Sequence, residues 1–136
     1  MINDTIKNIY IDDNGNCSES SFRAIGEDYE LYVPKECVKM ISGFGAGMCS
    51  GNTCGAVSGC LAALGYMYSN GKAHETEGFM DMCGAFVNTC EKEMGSLNCR
   101  DLKPQYFRED GMRCYDCVCK IAGIFEKFVK EQEFIK

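Results

Sequence analysis

Eleven cysteines, at positions 17, 37, 49, 54, 60, 83, 90, 99, 114, 117 and 119, are the side chains of this 136-residue sequence best suited to chemistry. A thiolate is a nucleophile, a redox centre and a soft metal ligand, whereas an inert buried cysteine packs as a small hydrophobe. In a short secreted protein such density signals a disulfide framework. Here the number is odd, and the length suffices for a core without cross-links. Met1-Ile2-Asn3-Asp4-Thr5 has neither the basic nor the apolar stretch of a secretory signal. The expectation is therefore a cytoplasmic protein whose cysteines bind metal or act as redox thiols. Eight methionines and no tryptophan suit the reducing interior of an anaerobe, since exposed sulfur oxidises readily.

Other chemistries are poorly supplied. His74 is the only histidine and stands among polar residues, so it reads as solvated and not as a catalytic base. The glycine run from Gly43 to Gly51 lacks the Gly-Lys-Ser/Thr ending of a phosphate loop, and no strand precedes it as a dinucleotide fingerprint would require. Asp12/Asp13 and Glu91/Glu93 lie in solvated contexts. The net charge of −6 argues against nucleic acid. Met40 to Gly71 contains no charged residue, but its apolar part, Ala56 to Tyr68, is too short to span a bilayer. No catalytic residue is identified, and the chain reads as a redox or electron-transfer protein in preference to an enzyme.

The spacing of the cysteines matches no standard local code. Cys114-x2-Cys117-x-Cys119 lacks the repeat of a bacterial ferredoxin, and Cys49-x4-Cys54 lacks the Cys-x2-Cys that follows in the plant type. A lone Cys-x-x-Cys is weak evidence for zinc. A metal site must then be assembled from distant segments. Cys37, Cys83, Cys90 and Cys117 fall on apolar faces and read as core, Cys60 as packing against a second helix, and Cys119 as an exposed thiol or one facing another chain. Cys54 is the best local candidate, expected in the first turn of a helix directly after the glycine loop. The positive helix end and its free N–H groups stabilise a thiolate there. Gly45, Gly47 and Gly55 would let backbone amides approach a bound anionic cofactor. The alternative is a tight turn followed by close packing at Gly55 and Gly59.

The elements that must position these sulfurs are helices, because β-branched alternation is almost absent and prolines occur only at 34 and 104. The periodicity predicts one all-α domain, a bundle of about five helices. Residues 1–15 read as an irregular arm. The helices are expected at about Ser18–Tyr29, Lys35–Ile41 with Pro34 at its start, Asn52 or Thr53 to Ser69, Thr76–Met94, and Met112–Glu133. Ser96 to Gly111, with Pro104, reads as a linking segment. In the last helix Cys114, Cys117, Val118, Ile121, Phe125 and Phe128 share one stripe.

Asn16-Cys17-Ser18-Glu19-Ser20, Ser42-Gly43-Phe44-Gly45-Ala46-Gly47-Met48, Cys54-Gly55-Ala56-Val57-Ser58-Gly59 and Cys99-Arg100-Asp101-Leu102 with Cys114 occur in this order. Together they resemble the redox-active family named after its C-GCAxxG-C-C pattern, over roughly residues 16–130. The resemblance implies a redox role. A related cysteine-bearing region occurs in split-Soret cytochromes, where it is associated with an iron–sulfur centre. Carried over position by position, the implied ligands are Cys17, Cys54, Cys99 and Cys114. This chain has Cys54-Gly55-Ala56 where the pattern has Gly-Cys-Ala. There is no Cys-x-x-Cys-His, so covalent haem is not expected. The leading expectation is an iron–sulfur cluster serving electron transfer or redox sensing with an unidentified partner protein. A metal-free thiol–disulfide site, with Cys54 attacking and Cys17, Cys99 or Cys114 resolving, and a structural zinc site are the alternatives. A homodimer through the fourth or fifth helix is compatible with the apolar stripes.

Overall fold

The computed structural model describes residues 1–132. Within them the chain is all-helical, and the only β contacts are two isolated bridges, Thr53 with Asn98 and Arg108 with Arg113. Seven α-helices are present in place of the five expected. The two extra ones arise where the sequence reading expects irregular chain. The first is α1, Ile2–Lys7, which runs on into a π-helical turn over Asn8–Asp12. The arm is helical because Ile2, Ile6, Ile9 and Tyr10 share one buried face, although the residues between them are polar.

The second is α6, Cys99–Tyr106, inside the expected linking segment. Pro104 lies within it and removes one helical hydrogen bond, and Leu102 is the one residue that the helix buries. So little apolar content leaves no periodicity to read.

The other helices follow their predicted spans closely. Asn16 caps α2, Cys17–Asp28, through a complete capping box with Glu19. Pro34 occupies the cap position of α3, Lys35–Ile41. The fourth, α4, covers Gly55–Tyr68 and is capped by Cys54, not by Asn52 or Thr53. The fifth, α5, covers Phe79–Met94 between Gly78 and Gly95, both at positive φ. Gly78 delays its start from the expected Thr76. The last, α7, covers Tyr115–Gln132, and the predicted end at Glu133 lies outside the described residues.

The core is built on the pairing of α2 with α4, with α7 laid across both. Gly59 of α4 lies so close to α2 that a Cβ there would sit 2.5 Å from the Ser18 carbonyl oxygen. The small buried Ser18 and Ser21 provide the facing surface. At the far end Phe86 of α5 meets Phe125 and Phe128 of α7 edge to face, with ring centroids 5.8 and 5.6 Å apart. No helix among the described residues is long and apolar enough to cross a membrane.

Candidate cysteine site

Four helices begin at the same place. Cys17 is the first residue of α2, Cys54 the cap of α4, Cys99 the first residue of α6, and Cys114 immediately precedes α7. Each helix start turns its first N–H groups and the positive end of its dipole toward this place, and at Cys54 the Ala56 and Val57 N–H groups favour the thiolate.

The glycine loop sets this convergence. Gly47, Met48 and Cys49 follow Ala46 in left-handed conformation, with φ between 53° and 64°. At Gly47 a side chain is excluded, since a Cβ would lie 2.5 Å from the backbone of Asn52 and 2.8 Å from the Cys99 Cβ. Asn52 N–H donates to the Gly47 carbonyl at 2.9 Å, and Cys99 N–H donates to the Asn52 carbonyl at 2.6 Å. Cys54 N–H donates to the Leu97 carbonyl at 2.7 Å. Arg100 closes the loop from outside, its guanidinium donating to the Gly51 and Ser50 carbonyls and to Asn52 Oδ1 at 3.0, 3.3 and 2.7 Å. The loop thereby seats Cys54 beside Cys99. Gly55 seats Cys17, since a Cβ on it would lie 3.1 Å from the Cys17 Cβ. Gly45 lies against Asn16, the cap of α2.

Cys17, Cys99 and Cys114 line a cavity of about 190 Å³, together with Tyr10, Lys103 and Arg113. Cys54 lies behind them, 5% exposed, and meets a fifth sulfur, Cys117, which is 3% exposed in the first turn of α7. The Cys117 S–H donates to Cys54, and together with the Ala56 and Val57 N–H groups it holds the Cys54 thiol below its ordinary value despite burial. The same contact pushes Cys117 up. Burial, reinforced by the Cys54 and Cys114 sulfurs, pushes the Cys17 thiol up to about 12. Burial is also the main cause raising Cys99 and Cys114, with Cys54 adding to both, while nearby Lys103 pulls each the other way.

The four cysteines picked out by the sequence resemblance are thus in electrostatic contact with one another. Cys117 was missed as a site residue because it lies on the apolar stripe of α7; its i,i+3 relation to Cys114 is the signal that marks it. Tyr10 and Lys103 carried no signal, and Arg100 entered only as the residue after Cys99 in the motif.

The remaining thiols divide differently. Cys60 and Cys90 are fully buried, Cys37 and Cys83 partly so, and Cys49 is exposed with its S–H toward the Gly43 carbonyl at 3.7 Å. Cys119, expected to be exposed, is half-buried beside Tyr115, because α7 is covered on that side by α1.

Among the described residues no three His, Cys, Asp or Glu side chains are grouped tightly enough to hold one metal ion. A single tetrahedral zinc draws its thiolates to about 4 Å from one another. A cluster of several irons spreads its ligands more widely, and soft thiols are the donors such a group would take.

The described chain is all-helical and cysteine-rich, with four of its sulfurs gathered at converging helix starts. The chain belongs to the family described as Putative redox-active protein (C_GCAxxG_C_C), whose model matches residues 15–128. No curated protein and no solved structure matches it.

Proposed function

We propose that this redox-family protein carries an iron–sulfur cluster on Cys17, Cys54, Cys99 and Cys114 and serves electron transfer or redox sensing. The observation that carries this reading is the convergence of four helix N-termini, each with a cysteine at its start. When bound, such a cluster supplies one-electron exchange at iron. The chain's own contribution is electrostatic and steric. The helix starts offset the negative charge of four thiolates, Lys103 and Arg113 add positive charge at the cavity, and the packed loop limits water around Cys54. Gly45, Gly47 and Gly55 keep the backbone close to the sulfurs. The electrons would pass to or from a partner protein docking over the cavity.

Purification without air tests this directly. Brown protein with iron and acid-labile sulfide is the expected result, and Cys54→Ser should lose both. Unchanged iron in that variant removes Cys54 from the site; zinc without sulfide would point to a structural ion instead.

A second reading is favoured by the contact of Cys54 with Cys117. In it the Cys54 thiolate attacks a partner's disulfide and releases one partner thiolate. Cys117 then attacks Cys54 Sγ, its proton passing to the second partner sulfur as that thiolate is expelled. The protein ends with a Cys54–Cys117 disulfide and the partner with two thiols. Colourless protein that cycles with dithiothreitol, with Cys54 mapped to Cys117 in its oxidised form, would select this reading.

A further inference from the structure

Tyr10 reaches the site from a segment that precedes the family-matched residues 15–128. It is 3% exposed and lies in the π-helical turn after α1. Its hydroxyl is 3.9 Å from Cys17 Sγ and accepts the Cys114 N–H at 3.2 Å. The Arg113 guanidinium is stacked over its ring, 4.1 Å from the centroid, and also donates to the Tyr10 carbonyl. One phenol therefore touches two of the four proposed ligands, and the residue before Cys114 clamps it from the other face.

We infer that Tyr10 is a positioning residue of the cysteine site, donating its hydroxyl proton to the Cys17 sulfur while tying Cys17 to Cys114. This rests on the iron–sulfur reading. A phenol has one proton and two lone pairs. The Cys114 N–H occupies one lone pair. While Cys17 is a thiol, its S–H uses the other. A ligating Cys17 has no proton, so the hydroxyl turns its own toward the sulfur. A hydrogen bond to a ligating sulfur draws electron density from it and favours the reduced cluster, which raises the potential. The Arg113 charge over the ring acts in the same direction.

The test is Tyr10→Phe, which keeps the ring and removes only the hydroxyl. Iron and sulfide should be retained at wild-type stoichiometry, the midpoint potential should fall, and the sulfur-to-iron charge-transfer absorption should shift. Loss of the cluster from a variant that is still folded would equally place the hydroxyl in the site. A folded variant with unchanged iron, potential and spectrum overturns the inference, and so does a variant that fails to fold, since the role would then be structural. If the wild-type protein binds no iron, the function proposed above fails separately. Amide exchange in the reduced, metal-free protein then decides: the Cys114 N–H should exchange at least severalfold faster in Tyr10→Phe, and an unchanged rate overturns the tie between Cys17 and Cys114.

Discussion

Gly55 and Cys17 are in contact at the start of their two helices: a Cβ placed on Gly55 would lie 3.1 Å from the Cys17 Cβ, 3.0 Å from Gly45 Cα and 2.9 Å from the Phe44 carbonyl oxygen. Alanine normally improves a helix by up to about 1 kcal/mol over glycine. Here the methyl meets backbone on two sides, and the steric term wins. Gly55→Ala should lower unfolding stability in urea by about 1–3 kcal/mol. Iron loading should drop with it, because Cys17 is pushed away from Cys54. Stability equal to or above wild type would show that the loop yields.

Gly59 and Gly84 should respond with opposite signs. A Cβ on Gly59 would fall 2.1 Å from Ser21 Oγ and 2.5 Å from the Ser18 carbonyl oxygen, whereas nothing lies within 4 Å of one on Gly84 in α5. Gly59→Ala should force α2 and α4 apart and cost about 3 kcal/mol or more. Gly84→Ala should stabilise by about 0.5–1 kcal/mol through helix propensity alone. Thermal melts of the two variants beside wild type check both.

Cys117→Ala should make Cys54 less reactive in the reduced, metal-free protein. The Cys117 S–H is the main group holding the Cys54 thiol below its ordinary value, ahead of the Ala56 and Val57 N–H groups. Without it the thiolate fraction at pH 7–8 falls, and alkylation of Cys54 by iodoacetamide, read by peptide mass spectrometry, should slow severalfold. Faster alkylation would mean that Cys117 merely shields Cys54.

The metal-free protein should weaken in alkali. Burial, with the neighbouring sulfurs, pushes Cys90 up to about 12 and Cys60 well above its ordinary value. Both stay neutral in the folded state while the unfolded chain ionises near pH 9. Their contribution is complete below pH 9 and is lost as pH rises toward the folded-state values. Urea denaturation under reducing conditions should show stability falling above pH 9 by about 1 kcal/mol per pH unit for each such thiol. Cys90→Ala should flatten that slope, and an unchanged slope would show that other groups cause it.

Arg100→Ala should loosen the glycine loop without touching the core. The guanidinium supplies three hydrogen bonds across it while remaining on the surface. Global stability should fall by about 1 kcal/mol, and the amides of Asn52 and Cys99 should exchange faster. Unchanged exchange would show that the backbone bonds from Asn52 suffice.

The helical class, the span of α3, the end of α5 and the order of the motif cysteines were legible in the linear chain, because periodicity, caps and spacing are local. Cys54 announced itself through the loop before it, whereas Cys17, Cys99 and Cys114 were marked only by the family resemblance. What chain order could not carry was the placement of one helix start against another. That depends on how closely Gly55 and Gly59 let backbones approach, and on long-range bonds such as Cys99 N–H to Asn52 and Cys114 N–H to Tyr10. Tyr10 and Cys117 became site residues for that reason. Their local context is an amphipathic helix face, and only packing turned one toward Cys17 and the other toward Cys54.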